Sequence, residues 1–122
     1  MRYVRLYADS AGESHFEDVD VPLTAVDFAP PAPPAYLSSY TSTTRCVFIV
    51  APAGWHGDWH PTPRRQFFVW LSGETEVRTS DGAVRRFGPG SVVLVEDTSG
   101  RGHQSRVVSM EEARHLVVQL AD

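Results

Sequence analysis

Apolar and polar residues alternate or cluster along this chain in short stretches, and none is patterned as a long amphipathic helix. "RYVRLYA" (residues 2–8) alternates with period two, which predicts a strand. "RCVFIVA" (45–51) predicts a second strand, and "RQFFVWL" (65–71) a third that is apolar on both faces. In the latter, Gln66, Phe68 and Trp70 share one side, and Phe67, Val69 and Leu71 the other. One side is expected to look into a barrel and the other to meet a second sheet or a second subunit. "GETEVRTSDGAVRRF" (73–87) predicts two strands around Asp81-Gly82, a dipeptide suited to a tight hairpin turn. "SVVLVE" (91–96), "HQSRVVSM" (103–110) and "RHLVVQL" (114–120) complete the series. Between the last two, Ser109 and Glu112 have capping-box spacing, so one helical turn and a hairpin loop both fit. "APPAPP" (29–34) can be neither helix nor central strand and reads as an extended surface connector.

Many short strands separated by Gly and Pro predict one all-β domain over residues 1–122, a sandwich or barrel. Closing the sheets removes edges that such strands would otherwise expose. N-terminal strands are expected over 1–28, the proline-rich connector over 29–35 and the barrel core over 45–120. With 42% hydrophobic and 21% charged residues the chain can fold around a core rather than remain disordered. A net charge of −4 with dispersed basic residues argues against nucleic acid or an anionic membrane as the main partner. No apolar run reaches membrane-spanning length, and the N-terminus lacks the apolar stretch of a signal peptide. Cys46 is the sole cysteine, which excludes an internal disulfide and makes the cytoplasm the expected compartment. All eleven basic residues are arginine, so lysine-based covalent chemistry has no residue to run on.

Candidate chemistry concentrates in "GWHGDWHPTPRRQFFVWLSG" (54–73). Gly54 is followed by five residues and His60, then Thr62 two residues on, Gln66 after three more, and Gly73 after a further six. This spacing resembles the first motif of the cupin family, in which a His-x-His pair and a Glu stand where this chain has His60, Thr62 and Gln66. "TSGRGH" (98–103) resembles the second motif, Pro-x-Gly-x-x-His, with Thr98 at the proline position and Gly100 and His103 in place. The two motifs span residues 54–107. "SHFEDV", "WHPTPRRQFFVWLSGE" and "VEDTSGRGHQSR" are further similar to a group of small bacterial cupins without a single assigned reaction.

The resemblance implies a jelly-roll barrel (a double-stranded β-helix), a homodimer and a pocket for a small organic metabolite. Its metal-ligand positions map onto His60, Gln66 and His103. An amide in place of the carboxylate and Thr62 in place of an imidazole describe a degenerate site, holding no metal or a weakly bound Fe, Mn, Ni or Zn. A shifted register would instead pair Asp58 with His60. His60 and His103 are the candidate catalytic pair, because two imidazoles can give and take protons near neutral pH. Gln66, Arg64, Phe48, Phe68, Trp70 and Trp59 are candidate substrate contacts: an amide, a guanidinium that fits a carboxylate, and aromatic walls. Asp97 reads as a turn former, as an orienting carboxylate for His103 or as a base, and Trp55 as a cap on the barrel mouth or a core residue. His56 reads as exposed in a Gly-rich turn, and His15 and His115 as surface or core residues. Three functions stay open: non-redox acid–base catalysis of the isomerase, cyclase or lyase type, a metal-dependent oxygenase or lyase, and non-catalytic ligand binding.

Overall fold

The short alternating stretches become twelve strands and no helix in a computed structural model that describes residues 1–122. They are β1 (Arg2–Ala8), β2 (Ser14–Asp20), β3 (Thr24–Val26), β4 (Ala35–Leu37), β5 (Thr43–Ala51) and β6 (His56–His60), followed by β7 (Gln66–Ser72), β8 (Thr75–Thr79), β9 (Val84–Phe87), β10 (Val92–Val95), β11 (His103–Val107) and β12 (Ala113–Leu120). Six form one sheet in the order β2-β1-β10-β7-β12-β5, and four form a second in the order β6-β11-β8-β9. All pairs are antiparallel except β1 with β10, where Val4 lies opposite Val93 and Leu6 opposite Val95. No helix is present that could cross a membrane.

The two sheets bury a shared core. Leu6, Trp70, Val93 and Val95 come from the large sheet, and Val77 and Phe87 from the small one. Each such side chain contributes roughly 1.5–3 kcal/mol by leaving water. Trp70 Nε1 donates to Thr75 Oγ1 at 3.1 Å, so the indole can be buried without an unmet N–H.

Polar clasps join the sheets at one end. Ser14, fully buried at the start of β2, donates through Oγ to the Gly102 carbonyl (2.7 Å) and accepts from the Ser80 N–H (2.7 Å). This ties β2 and the β8–β9 loop to the segment that delivers β11.

The loops differ from expectation in detail. The hairpin at Asp81-Gly82 has a four-residue loop, 80–83, rather than a two-residue turn. Asp81 Oδ1 accepts from Thr79 Oγ1 (2.6 Å) and the Ala83 N–H (3.0 Å), and this side-chain closure accommodates the wider loop. Residues 109–112 are a loop and not a helical turn. Ser109 Oγ accepts from the Glu74 N–H and donates to the Glu111 carbonyl, bonds that compete with capping. The proline-rich segment joins β3 to β4, which form a separate two-stranded sheet.

Candidate functional site

Between the sheets lies a cavity of about 250 Å³. Leu6, Phe68, Trp70, Phe87 and Val93 make its apolar floor, and His60 and His103 stand in its wall on the smaller sheet. The two rings come from edge strand β6 and its neighbour β11, whose Cα register places His103 opposite His60. Their centroids are 4.6 Å apart with the planes inclined at 55°.

A β-bulge decides which residues of the histidine-rich segment reach the cavity. The register runs from His103 opposite His60 to Ser105 opposite Gly57, so Gln104 faces two residues, Asp58 and Trp59. In an unbroken strand His56, Asp58 and His60 would share a face. The extra residue breaks that alternation. His60 and Gly57 share the side of His103 and Ser105, while His56, Asp58 and Trp59 are exposed. The shifted-register pair Asp58 and His60 is therefore not formed. Asp58 Oδ1 instead accepts from the Trp59 N–H (2.8 Å) and from Gln104 Nε2 (3.3 Å).

Two glycines make room for the pair. A Cβ at Gly57 would lie 2.6 Å from the Trp55 ring, and Trp55 lines the cavity. A Cβ at Gly102 would lie 2.1 Å from the carbonyl of His60, and its φ of +74° is in the left-handed region. The chain before β11 can therefore lie directly on the backbone of His60.

Both Nδ1 atoms are committed. His103 Nδ1 lies 2.6 Å from Oδ2 of Asp97, whose side chain is fully buried. His60 Nδ1 lies 2.5 Å from the carbonyl of Asp58, which can only accept, so this nitrogen carries its proton. Nε2 is then the uncommitted nitrogen of each ring. Asp97 Oδ1 has no protein partner, so His103 is the one group that hydrogen-bonds this carboxylate side chain.

A third imidazole lines the cavity. His115 is buried, lies 4.9 Å from Trp70 and 5.6 Å from Phe68 by ring centroids, and directs Nδ1 at the Ile49 carbonyl (3.2 Å). Burial pushes its pKa below the ordinary value, partly opposed by that hydrogen bond. Neutral His115 with Nδ1–H donating keeps a lone pair on Nε2 for a ligand donor. The sequence left His115 as a surface or core residue. Its signal was its place between Ala113 and Val117 on the buried parity of β12.

Four expected contacts lie elsewhere. Phe48 sits opposite Leu116 on β5 and is exposed, whereas Ile49, opposite His115, lines the cavity. Strand alternation thus sends the smaller residue in and the ring out. Trp59 is exposed beside the bulge. Arg64 is exposed on an outer groove with Pro63 and Thr98, away from the cavity. Its neighbour Arg65 is held by Glu96 at 2.7 Å. Gln66 is buried but does not line the cavity, since its amide bonds Thr62 Oγ1 (3.1 Å) and Gln119 Nε2 (3.2 Å). Pro61 to Arg65 interrupt the strand between β6 and β7, so the parity linking His60 to Gln66 is not maintained. Phe68 and Trp70 do line the cavity.

This donor set does not fit a resident catalytic metal. His60 and His103 supply two nitrogens, Gln66 is engaged elsewhere, and Asp97 is turned to the far nitrogen of His103. No group of three or more His, Cys, Asp or Glu side chains converges. Catalytic metal sites ordinarily hold the ion with three protein ligands.

Two solved structures share the architecture. The Schizosaccharomyces pombe Cnp3 cupin domain superimposes with a TM-score of 0.55 at 16% identity, over 89% of this chain and 73% of that one. A Cupin 2 conserved barrel domain protein from Salinispora arenicola CNS-205 gives 0.53 at 23% identity, over 83% and 77%. The fold is a cupin barrel. At these identities the likeness establishes the fold alone and leaves the chemistry of this chain to its own residues. No family model matches the sequence, and no curated protein matches it.

Proposed function

We propose that this cupin domain binds a compact, mainly apolar organic metabolite in its barrel and moves a proton on it through His60 and His103. The observation that carries the reading is the pair of imidazoles 4.6 Å apart in the cavity wall, each with Nδ1 tied to an acceptor. Two rings whose centroids are this close, each with Nε2 free, can divide acid and base roles on one substrate. Asp97 holds His103 by Nδ1 and so fixes the orientation of its ring. The apolar floor desolvates the ligand, and neutral His115 accepts a hydrogen bond from it. Isomerisation, enolisation, cyclisation and dehydration all fit this set, because each needs proton transfer without electron transfer. The absence of a disulfide suits a cytoplasmic setting, which is part of the same proposal.

The test is deuterium exchange. Tag-free protein is incubated in D2O with a panel of small ketones, cyclic enols and 2-oxo acids, and incorporation next to the carbonyl is followed by NMR. The expected result is catalysed exchange on at least one compound, reduced about a hundred- to ten-thousand-fold by His60→Ala or His103→Ala. Retained ligand binding in those variants separates proton transfer from affinity. A compound that binds in the cavity, shown by chemical-shift changes at Trp70, with no exchange anywhere in the panel would favour the non-catalytic reading.

A further inference from the structure

The polar groups of the cavity stand toward its two ends, with apolar side chains between them. Of the residues that line it, only His60, His103, Ser105, Thr75 and His115 are polar, and none is Asp, Glu or Arg. His60 and His103 stand opposite each other on β6 and β11, and Ser105 follows two residues along β11. Thr75 lies opposite Val107, four residues along β11 from His103. At the rise of an extended strand that separation is roughly 13 Å. His115 belongs to the Thr75 end, because Trp70 meets both. The Trp70 Nε1–H donates to Thr75 Oγ1 at 3.1 Å, and the indole lies 4.9 Å from the His115 ring. Val77 on β8 and Phe68 on β7 line the stretch between the ends.

The Thr75 end has hydrogen-bonding capacity that the protein does not use. Thr75 Oγ1 accepts from Trp70, and its own O–H has no acceptor within the chain. His115 Nδ1 meets the Ile49 carbonyl at 3.2 Å, which can only accept, so Nδ1 carries the proton and Nε2 is an acceptor without a protein partner. A donor and an acceptor side by side match a hydroxyl, which accepts one hydrogen bond and donates another. Charge is the second constraint. An ion in this cavity would lose its hydration with no side chain of opposite charge lining the wall. An anion taken by the imidazole pair would occupy the Nε2 atoms that move the proton, with Asp97 directly behind His103. Size is the third. An apolar cavity of about 150 Å³ holds benzene, so about 250 Å³ admits one substituted ring of about ten non-hydrogen atoms.

We infer that the substrate is an uncharged single-ring compound with an oxygen function at each end: a carbonyl beside His60 and His103, and a hydroxyl held by Thr75 and His115. The hydroxyl accepts from Thr75 Oγ1–H and donates to His115 Nε2. The ring lies along Phe68 and Val77, where apolar contact replaces its water. The distance between the two ends, shortened by a side chain and a hydrogen bond at each, suits one para-substituted ring. The place of the carbonyl rests on the imidazole pair being the proton-transferring site; the uncharged class and the hydroxyl subsite do not.

Three probes of one shape and different charge test the class: para-hydroxybenzamide, the anion para-hydroxybenzoate and the cation para-hydroxybenzamidine. Each is titrated at neutral pH into nitrogen-15-labelled, tag-free protein, and the Trp70 indole N–H beside Thr75 is followed by NMR. The neutral amide should bind, and both ions about a hundred-fold more weakly or not at all. Benzamide, which lacks the hydroxyl, should bind about five- to ten-fold more weakly than para-hydroxybenzamide. That difference should vanish in His115→Phe and persist in Thr75→Ser, which keeps the side-chain O–H. The wild-type comparisons need no variant, so they decide the class even if His115→Phe does not fold. Equal binding of either ion, or no binding of para-hydroxybenzamide at millimolar concentration, would overturn the uncharged class. A hydroxyl effect that survives in folded His115→Phe would overturn the subsite. If para-hydroxyacetophenone binds as the amide does but its methyl group takes up no deuterium, the proton-transfer reading and the place of the carbonyl fall while the uncharged class stands.

Discussion

The floor and the wall of the cavity are built on opposite principles. The floor comes from the centre of the large sheet and the inner face of the small one, where Leu6, Trp70, Phe87 and Val93 pack against one another. The wall comes from edge strand β6 and the bulge opposite β11, held by a buried carboxylate, a backbone carbonyl and two glycines. Floor residues answer to volume and tolerate apolar replacement. Wall residues answer to hydrogen-bond geometry, and little core packing depends on them. Stability and chemistry should therefore separate when each part is altered.

The largest effect is expected on the floor. Trp70→Ala should cost about 3–5 kcal/mol in urea unfolding, through the lost ring, the cavity left behind and the freed Thr75 hydroxyl. Gly102→Ala strikes the wall through its backbone. The left-handed φ and the clash with the His60 carbonyl should cost about 2–3 kcal/mol and separate the two imidazoles. His60 and His103 NMR shifts should move while those of Phe87 do not. If the floor resonances moved equally, the two parts would not be separable.

Asp97→Asn should cost less, about 2 kcal/mol, by weakening the bond that the carboxylate accepts from His103. Its sharper readout is the tautomer of His103. Nitrogen-15 shifts should report Nδ1–H in the wild type and a mixture in the variant, with Trp70 unaffected.

The smallest effects are pH-dependent, and they run in opposite directions for two histidines. Burial lowers the pKa of His115, so its contribution is complete above the ordinary histidine pKa and is lost as pH falls through the lowered value. His15, outside the cavity, bridges Asp9 (2.7 Å) and Asp81 (3.0 Å). The Asp9 hydrogen bond chiefly raises its pKa, so its contribution is present in acid and lost as pH rises through the raised value. His115→Phe should flatten the acid side of the curve of Tm against pH, and His15→Gln the neutral-to-alkaline side. A curve unchanged by either substitution would show that neither group is coupled to folding.

The sequence determined the all-β class and eight of the strands, because period-two patterns and turn residues are local properties, while the pairing of His60 with His103 was implied by the resemblance of their motif spacing to the cupin family. "RYVRLYA" reads as β1 to the residue. It also placed Phe68 and Trp70, which follow the inward parity of β7. The structure alone decided the rest. A bulge between β6 and β11 turned Asp58 and Trp59 outward, two prolines uncoupled Gln66 from His60, and alternation on β5 faced Ile49 inward in place of Phe48. Register shifts and bulges arise where one strand meets its partner, and a single residue's slip reverses every face beyond it. That pairing joins residues some forty positions apart, so no window of the sequence contains it.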